Sequence, residues 1–413
     1  MFRAAAIGAV AGTAALYYFY LCATRRKKKA RLCCWVSSLA PAQASIERLR
    51  RQIAGTGWSL RVVGSLEEVP RETAVLVCGE VKAFGDAKKL GRLEALGGVI
   101  VPYAGIHPKI REALSRSNER RRGAKPIVVV NSHHNAPSTA EMAIALALAA
   151  AKRLAEGDQQ LRANDWRGRG LKVDGAPTPL PVIPQLIFDG ARVLVVGLGA
   201  VGSRVALALS AMGCDVHATS QTATTARTRE VRVGAVAANI DVHPAADLAT
   251  LLGSAKLVVL CLPLNAQTRG LFGENEFRAM PSDAVCVNVA RGPIVDEQAV
   301  FNALQRGDIA CYASDVWWHY PGDWAHAADC APWTTNDANN GVSNSKNKNV
   351  ATLLPHHCTL LSPHRGGAVG LDAAEERRMD AIAAALNRAA RLDDFATGLA
   401  TPPLGRVDLQ TGY

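Results

Sequence analysis

The sequence predicts an α/β protein of two parallel-sheet domains with an apolar helix at its N-terminus. Three observations predict it. Short runs of aliphatic and β-branched residues recur with helix-compatible stretches between them. The length of 413 residues exceeds what one ordinary core accommodates. Residues 4–22 carry no charge at all. A composition of 49% hydrophobic and 20% charged residues is that of a globular chain.

The N-terminal stretch reads AAAIGAVAGTAALYYFYLC, with Tyr17, Tyr18, Phe19 and Tyr20 next to the basic run from Arg25 to Arg31. As a helix it would rise about 28 Å, near the thickness of a bilayer core, with aromatic residues at the interface. The expectation is a membrane anchor over residues 4–22 with a basic flank to residue 31, the rest of the chain facing the cytosol. A mitochondrial targeting peptide and a bland extension on a soluble cytoplasmic chain are the alternatives. Seven of the eleven net positive charges lie in residues 1–31, so the globular part carries no nucleic-acid footprint. Arg120-Arg121-Arg122 reads as a solvated loop. The 10 cysteines show no metal-site spacing, and Cys78, Cys261 and Cys286 sit inside apolar runs as small hydrophobes, which favours a reducing, cytosol-like compartment.

Residues 74–78, 98–101 and 127–130 are strand candidates, and Glu141 to Arg153 is an Ala/Leu-rich helix. Residues 168–185, with Pro177, Pro179, Pro181 and Pro184, cannot hold a regular helix and form an inserted loop. Further strands are expected at 193–196, 214–218, 257–262, 284–288 and 309–313, and residues 324–350, rich in Asn, Ser, Thr and Ala, form a surface insertion.

The strand at 193–196 runs directly into Gly197-Leu198-Gly199-Ala200-Val201-Gly202 and then a helical pattern. Gly197 permits a tight turn, Gly199 lets backbone approach a pyrophosphate, and Gly202 lets helix and strand pack closely; the helix N-terminus supplies free N–H groups. Both domains are therefore expected to be Rossmann-like, this one holding a nicotinamide dinucleotide. The next strand ends at Ser220 without the acid that would read a ribose 2′-hydroxyl, and Arg227 and Arg229 follow. Loss of that carboxylate removes repulsion of a 2′-phosphate, which favours NADP over NAD, although Ser220 also tolerates either cofactor.

Downstream stand LPLNAQTRGLFG, NVARGPIVDE, ASDV and SPHRGG, in that order after GLGAVG. Over residues 74 to 390 this resembles the D-isomer-specific 2-hydroxyacid dehydrogenase family, in its glyoxylate/hydroxypyruvate reductase-like form. Such a reaction needs a cation for the substrate carboxylate and an acid for the carbonyl oxygen. The resemblance assigns these to Arg291 and His364. The glutamate that pairs this histidine in the family is replaced by Tyr320, which brings no charge, so a weaker upward pull on His364 and a more acidic optimum for reduction are expected.

The resemblance also implies cofactor contacts from Leu262, Pro263, Thr268, Ala290 and Asp315, and substrate contacts from Ala104, Gly105 and Asn135. It implies a small 2-keto or 2-hydroxy acid as substrate and a homodimer. His133 and His134 are adjacent in an extended segment and point apart, so no metal is expected.

The expected organisation is a substrate domain from residues 32–140 and 365–395, a dinucleotide domain from 141–364, a tail from 396–413, and the active site in the cleft. A nucleotide-sensing scaffold without turnover and a formate dehydrogenase-like enzyme are the alternative functions.

Overall fold

The computed structural model describes residues 31–37, 42–80, 84, 90–121, 125–166, 186–320, 358–367, 371–391 and 404–409. The expected insertions at 168–185 and 324–350 lie outside these residues, as does the expected tail apart from residues 404–409. The chain divides into two compact units, residues 1–132 with 378–412 and residues 133–377.

The first unit is a six-stranded sheet in the order β14-β5-β4-β3-β1-β2. Its strands are β1 (Arg31–Val36), β2 (Trp58–Val63), β3 (Thr73–Val77), β4 (Gly98–Val101), β5 (Val128–Ser132) and β14 (Leu404–Arg406). All neighbours are parallel except β14, which runs antiparallel to β5. The period of two divides β1 between two cores. Cys33 and Trp35 face α1 (Gln43–Ile53) and the C-terminal helix, while Cys34 and Val36 face α2 (Pro108–Arg120). The C-terminal helix, Asp372–Arg391, sends Met379, Ile382 and Leu386 into the first of these cores. The Trp58 indole N–H donates to the Leu386 carbonyl at 2.7 Å.

The second unit has an eight-stranded sheet, β13-β12-β11-β10-β6-β7-β9-β8. Its strands are β6 (Arg192–Val196), β7 (Asp215–Ser220), β8 (Arg227–Val233), β9 (Val236–Pro244), β10 (Leu257–Leu260), β11 (Val285–Asn288), β12 (Cys311–Ser314) and β13 (Thr359–Leu361). Only β8 is antiparallel, forming a hairpin with β9 that the expected strand list lacks. Every residue of β10 is fully buried, as a central parallel strand with both faces covered requires. On one face lie α3 (Ala136–Lys152) and α5 (Ala200–Ala211), where Ala143, Ala147, Val205 and Leu209 pack; α4 (Leu154–Arg162) follows α3 and buries none of its residues. On the other lie α6 (Leu248–Leu252), α7 (Glu274–Ala279) and α8 (Glu297–Arg306), with Phe272, Phe277 and Val300. The helix Asp372–Arg391 is α9.

The chain leaves β6 toward β7 on one side and returns to β10 on the other, so the strand order reverses there. Doubly wound sheets bind ligands beyond the carboxyl ends of strands at such a reversal.

The membrane anchor expected over residues 4–22, with a membrane as partner and the catalytic part held at its cytosolic face, is corrected. Among the described residues no helix is long and apolar enough to cross a membrane, and residues 4–22 lie outside those described. The apolar α3 has 17 residues, a rise of about 25 Å against a hydrocarbon core of about 30 Å, and its alanines pack on the sheet. The 20-residue α9 carries Asp372, Glu375, Glu376, Arg377, Arg378 and Asp380.

Leu386 is fully buried in the first unit, so Leu386→Ala is expected to cost about 2–5 kcal/mol there through lost transfer energy and a cavity. Urea unfolding of the full chain checks this; a cost under about 1 kcal/mol would place α9 outside that core.

Candidate active site

Because β6, β10, β11, β12 and β13 run parallel, the loops that follow them all emerge at one edge of the sheet. Those loops carry Gly197, Leu262, Arg291, Asp315 and His364 respectively.

At the first loop, Gly197 has φ +99°, and a Cβ there would stand 2.8 Å from the Leu262 side chain and 3.0 Å from the Cys261 carbonyl oxygen. A Cβ at Gly202 would overlap the Gly197 carbonyl oxygen, whereas at Gly199 it would meet nothing within 4 Å. Gly199 caps α5 without a side-chain hydrogen bond, and Ala200, Val201 and Gly202 form the first turn. Open space over uncapped N–H groups fits a dinucleotide pyrophosphate.

Ser220 ends β7 and its hydroxyl lies 3.0 Å from the Thr222 hydroxyl. Arg227 is exposed at the start of β8. In the loop after β10, Thr268 donates to the Pro263 carbonyl at 2.6 Å and accepts from the Asn265 N–H at 2.9 Å, so Thr268 fixes the shape of the Leu262-Pro263 turn.

Asn288 closes β11 and organises the next loop. Its side chain accepts from the Ala290 N–H at 3.0 Å and donates to the Arg291 carbonyl and the Tyr312 hydroxyl, each at 3.1 Å. Ala290 is buried, and the Arg291 guanidinium reaches back to its carbonyl at 2.6 Å. Gly292 is required because a Cβ there would overlap the backbone of Trp317 and Trp318.

Asp315 is 2% exposed. Its Oδ1 accepts from the Ser362 hydroxyl at 2.5 Å and the Arg365 N–H at 2.8 Å, and its Oδ2 from the Gly366 N–H at 2.7 Å. Between these anchors His364 adopts φ +58°, a left-handed conformation costing a side-chain-bearing residue about 1–2 kcal/mol. Charge-assisted hydrogen bonds at about 1.5–3 kcal/mol each outweigh that cost.

Tyr320 packs its ring 5.3 Å from the His364 ring, tilted by 42°, and its hydroxyl accepts from the Trp317 N–H at 3.0 Å. Burial raises the Tyr320 hydroxyl above its ordinary range against the opposing Trp317 N–H and Arg291, so it stays protonated at neutral pH. Desolvation first, and the Arg291 charge second, hold the His364 imidazole below its ordinary range; Asp315 pulls the other way without prevailing. The residue remains exposed, so this desolvation is partial and the imidazole can still exchange protons with water.

The three residues expected to touch substrate lie in different units. Ala104 and Gly105 follow β4 in the first unit, where the Asn131 side-chain amide donates to the Ala104 carbonyl at 2.6 Å. Asn135 caps α3 in the second, and its carbonyl accepts from the Thr139 hydroxyl at 3.0 Å.

With this geometry in place, residues 144–366 match the family model described as D-isomer specific 2-hydroxyacid dehydrogenase, NAD binding domain. The chain belongs to the D-isomer specific 2-hydroxyacid dehydrogenase family. A D-3-phosphoglycerate dehydrogenase of Archaeoglobus fulgidus is 31% identical over 61% of this chain and 42% of its own length. A glyoxylate reductase of Pyrococcus horikoshii is 28% identical over 64% of this chain and 75% of its own length. The match to the Thermococcus gammatolerans glyoxylate reductase spans about half of that relative, 51%. The fold is shared with a D-isomer specific 2-hydroxyacid dehydrogenase of Xanthobacter autotrophicus solved with NADPH, at TM-score 0.63 and 21% identity over 93% of this chain and all of that one.

With His364 as the acid of a reduction, the rate would fall as pH rises through the His364 pKa, and with the neutral imidazole as base of the oxidation that rate would fall as pH drops through it. With that pKa lowered, the falling limb of kcat/KM for reduction is expected below the ordinary imidazole value of about 6.5. A pH–rate series in both directions measures it; a reductive limb well above that value would contradict the desolvated imidazole.

Proposed function

We propose that this protein reduces small 2-oxo acids of the glyoxylate or hydroxypyruvate class, with NADP(H) preferred over NAD(H). The observation that carries the reading is Arg291 and His364 on loops at the same sheet edge as the glycine turn, with the Arg291 charge acting on the imidazole. When bound, the nicotinamide supplies the hydride.

Arg291 pairs with the substrate carboxylate and orients the neighbouring carbonyl, a role suited to the planar guanidinium fork. His364 gives its proton to the carbonyl oxygen as that oxygen gains charge, and takes it back in the oxidative direction. Tyr320, neutral and packed on the imidazole, limits its rotation without adding charge. The Ser220 and Thr222 hydroxyls with the exposed Arg227 suit a 2′-phosphate, because no carboxylate stands at the end of β7 to repel it. A glyoxylate/hydroxypyruvate reductase of Sinorhizobium meliloti, solved with NADP and malonate, has the same fold at TM-score 0.55 and 21% identity over 86% of this chain and 92% of that one.

The test is nucleotide oxidation by the full chain with glyoxylate, hydroxypyruvate and longer 2-oxo acids. NADPH is expected to exceed NADH in kcat/KM, and Arg227→Ala to remove most of that preference. His364→Asn is expected to lower kcat by about 100- to 10,000-fold, and Arg291→Lys to lower kcat/KM by about 100-fold through loss of the bidentate fork. Wild-type turnover surviving either change, or absent with every 2-oxo acid, would refute the assignment.

A further inference from the structure

The short segment from Ser362 to Gly366 is tied at both ends and in its middle. The Ser362 N–H donates to the Ser314 carbonyl at 2.8 Å, which continues the β12–β13 ladder. The Ser362 carbonyl accepts from the Trp317 indole N–H at 2.9 Å and from the His364 N–H at 3.0 Å, so one oxygen receives both a distant side chain and the turn itself. The Ser362 hydroxyl then reaches Asp315 Oδ1, which the Arg365 N–H also reaches. On the far side, Gly366 gives its N–H to Asp315 Oδ2, and its carbonyl accepts from the Thr139 hydroxyl at 3.3 Å. A Cβ on Gly366 would stand 2.7 Å from Asp315 Oδ2 and 3.2 Å from Met142, so the approach admits only glycine.

In the middle stands His364 at φ +58°, a left-handed conformation uncommon for a residue that carries a side chain. A left-handed residue with a side chain persists only where its surroundings over-determine it. Here they do so through groups that need not touch the reacting atoms.

We propose that Ser362 and Trp317 are positioning residues: with Asp315 they form a latch that fixes the left-handed backbone of His364 and so aims its imidazole at the carbonyl oxygen. This rests on the functional reading above. Trp317 is 7% exposed, and its indole spans from the strand-end loop bearing Asp315 to the loop bearing His364. The next tryptophan, Trp318, sends its N–H instead to the Val295 carbonyl at 2.7 Å and stacks on Tyr312, so it fixes the neighbouring loop and not the histidine.

Two small changes dissect the latch. Ser362→Ala removes the hydroxyl, and Trp317→Phe keeps an aromatic ring while removing the N–H. Ser362→Ala is expected to lower kcat about tenfold, as suits a lost hydrogen bond to a charged group, with the KM for NADPH unchanged and Ser362→Thr restoring the rate. Trp317→Phe is expected to lower kcat in the same way by about threefold, for a neutral hydrogen bond. Amide hydrogen exchange in the full chain gives a readout apart from turnover: the Arg365 and Gly366 N–H groups are expected to exchange about tenfold faster in Ser362→Ala. Wild-type kcat and wild-type exchange in both variants would overturn the latch. Turnover missing from the wild-type chain would overturn the functional reading instead, with exchange at Arg365 and Gly366 still deciding the latch.

Discussion

The candidate site depends on one buried carboxylate. Asp315 lies at the end of β12, inside the sheet edge, and would be costly to bury unpaired. It is paired with three donors from a single five-residue stretch. The hydrogen bonds between them offset both the desolvation cost of the carboxylate and the backbone strain at His364: the carboxylate needs donors, and the left-handed turn supplies two N–H groups. These bonds are why a residue with a Cβ can hold φ +58° there.

The same economy of charge governs the acid. His364 feels Arg291, which disfavours its proton, and Asp315, which favours it but ranks behind burial and Arg291. A carboxylate in the place of Tyr320 would tilt this balance toward the imidazolium. The phenol contributes ring contact and leaves desolvation as the dominant influence. A site so arranged releases its proton readily, which suits donation to a carbonyl oxygen that becomes an alkoxide as hydride arrives.

Much of this was legible in the sequence where a residue type has a single backbone use. Gly197 and Gly202 follow a four-residue aliphatic run, and the structure requires both as glycines, one by its φ and one by the Gly197 carbonyl. The buried strands β3 to β6 and β10 to β12 were visible as aliphatic runs. Strand β1 was obscured because Arg31 and the two cysteines break the aliphatic signal, although Cys33 and Cys34 serve two opposite cores. The β8–β9 hairpin was obscured because RTREVRV is charged; β8 is an edge strand, where Arg227 and Arg232 remain exposed, and Gly234 turns the hairpin at φ +61°. The role of Asp315 in holding the histidine loop was invisible, since its partners are backbone N–H groups about fifty residues away. The apolar N-terminal stretch shows the opposite limit, where hydropathy and a basic flank alone implied an anchor that no described helix supplies.

In the proposed function this sheet edge directs hydride to the C2 carbon of a 2-oxo acid while His364 protonates the oxygen. The most direct measurement is mass spectrometry of the product formed from glyoxylate or hydroxypyruvate with NADPH deuterated at its transferable position. The wild-type chain is expected to form a 2-hydroxy acid carrying one deuterium at C2, and His364→Asn to lose that product. A product without label at C2, or labelled product formed equally fast by His364→Asn, would contradict it.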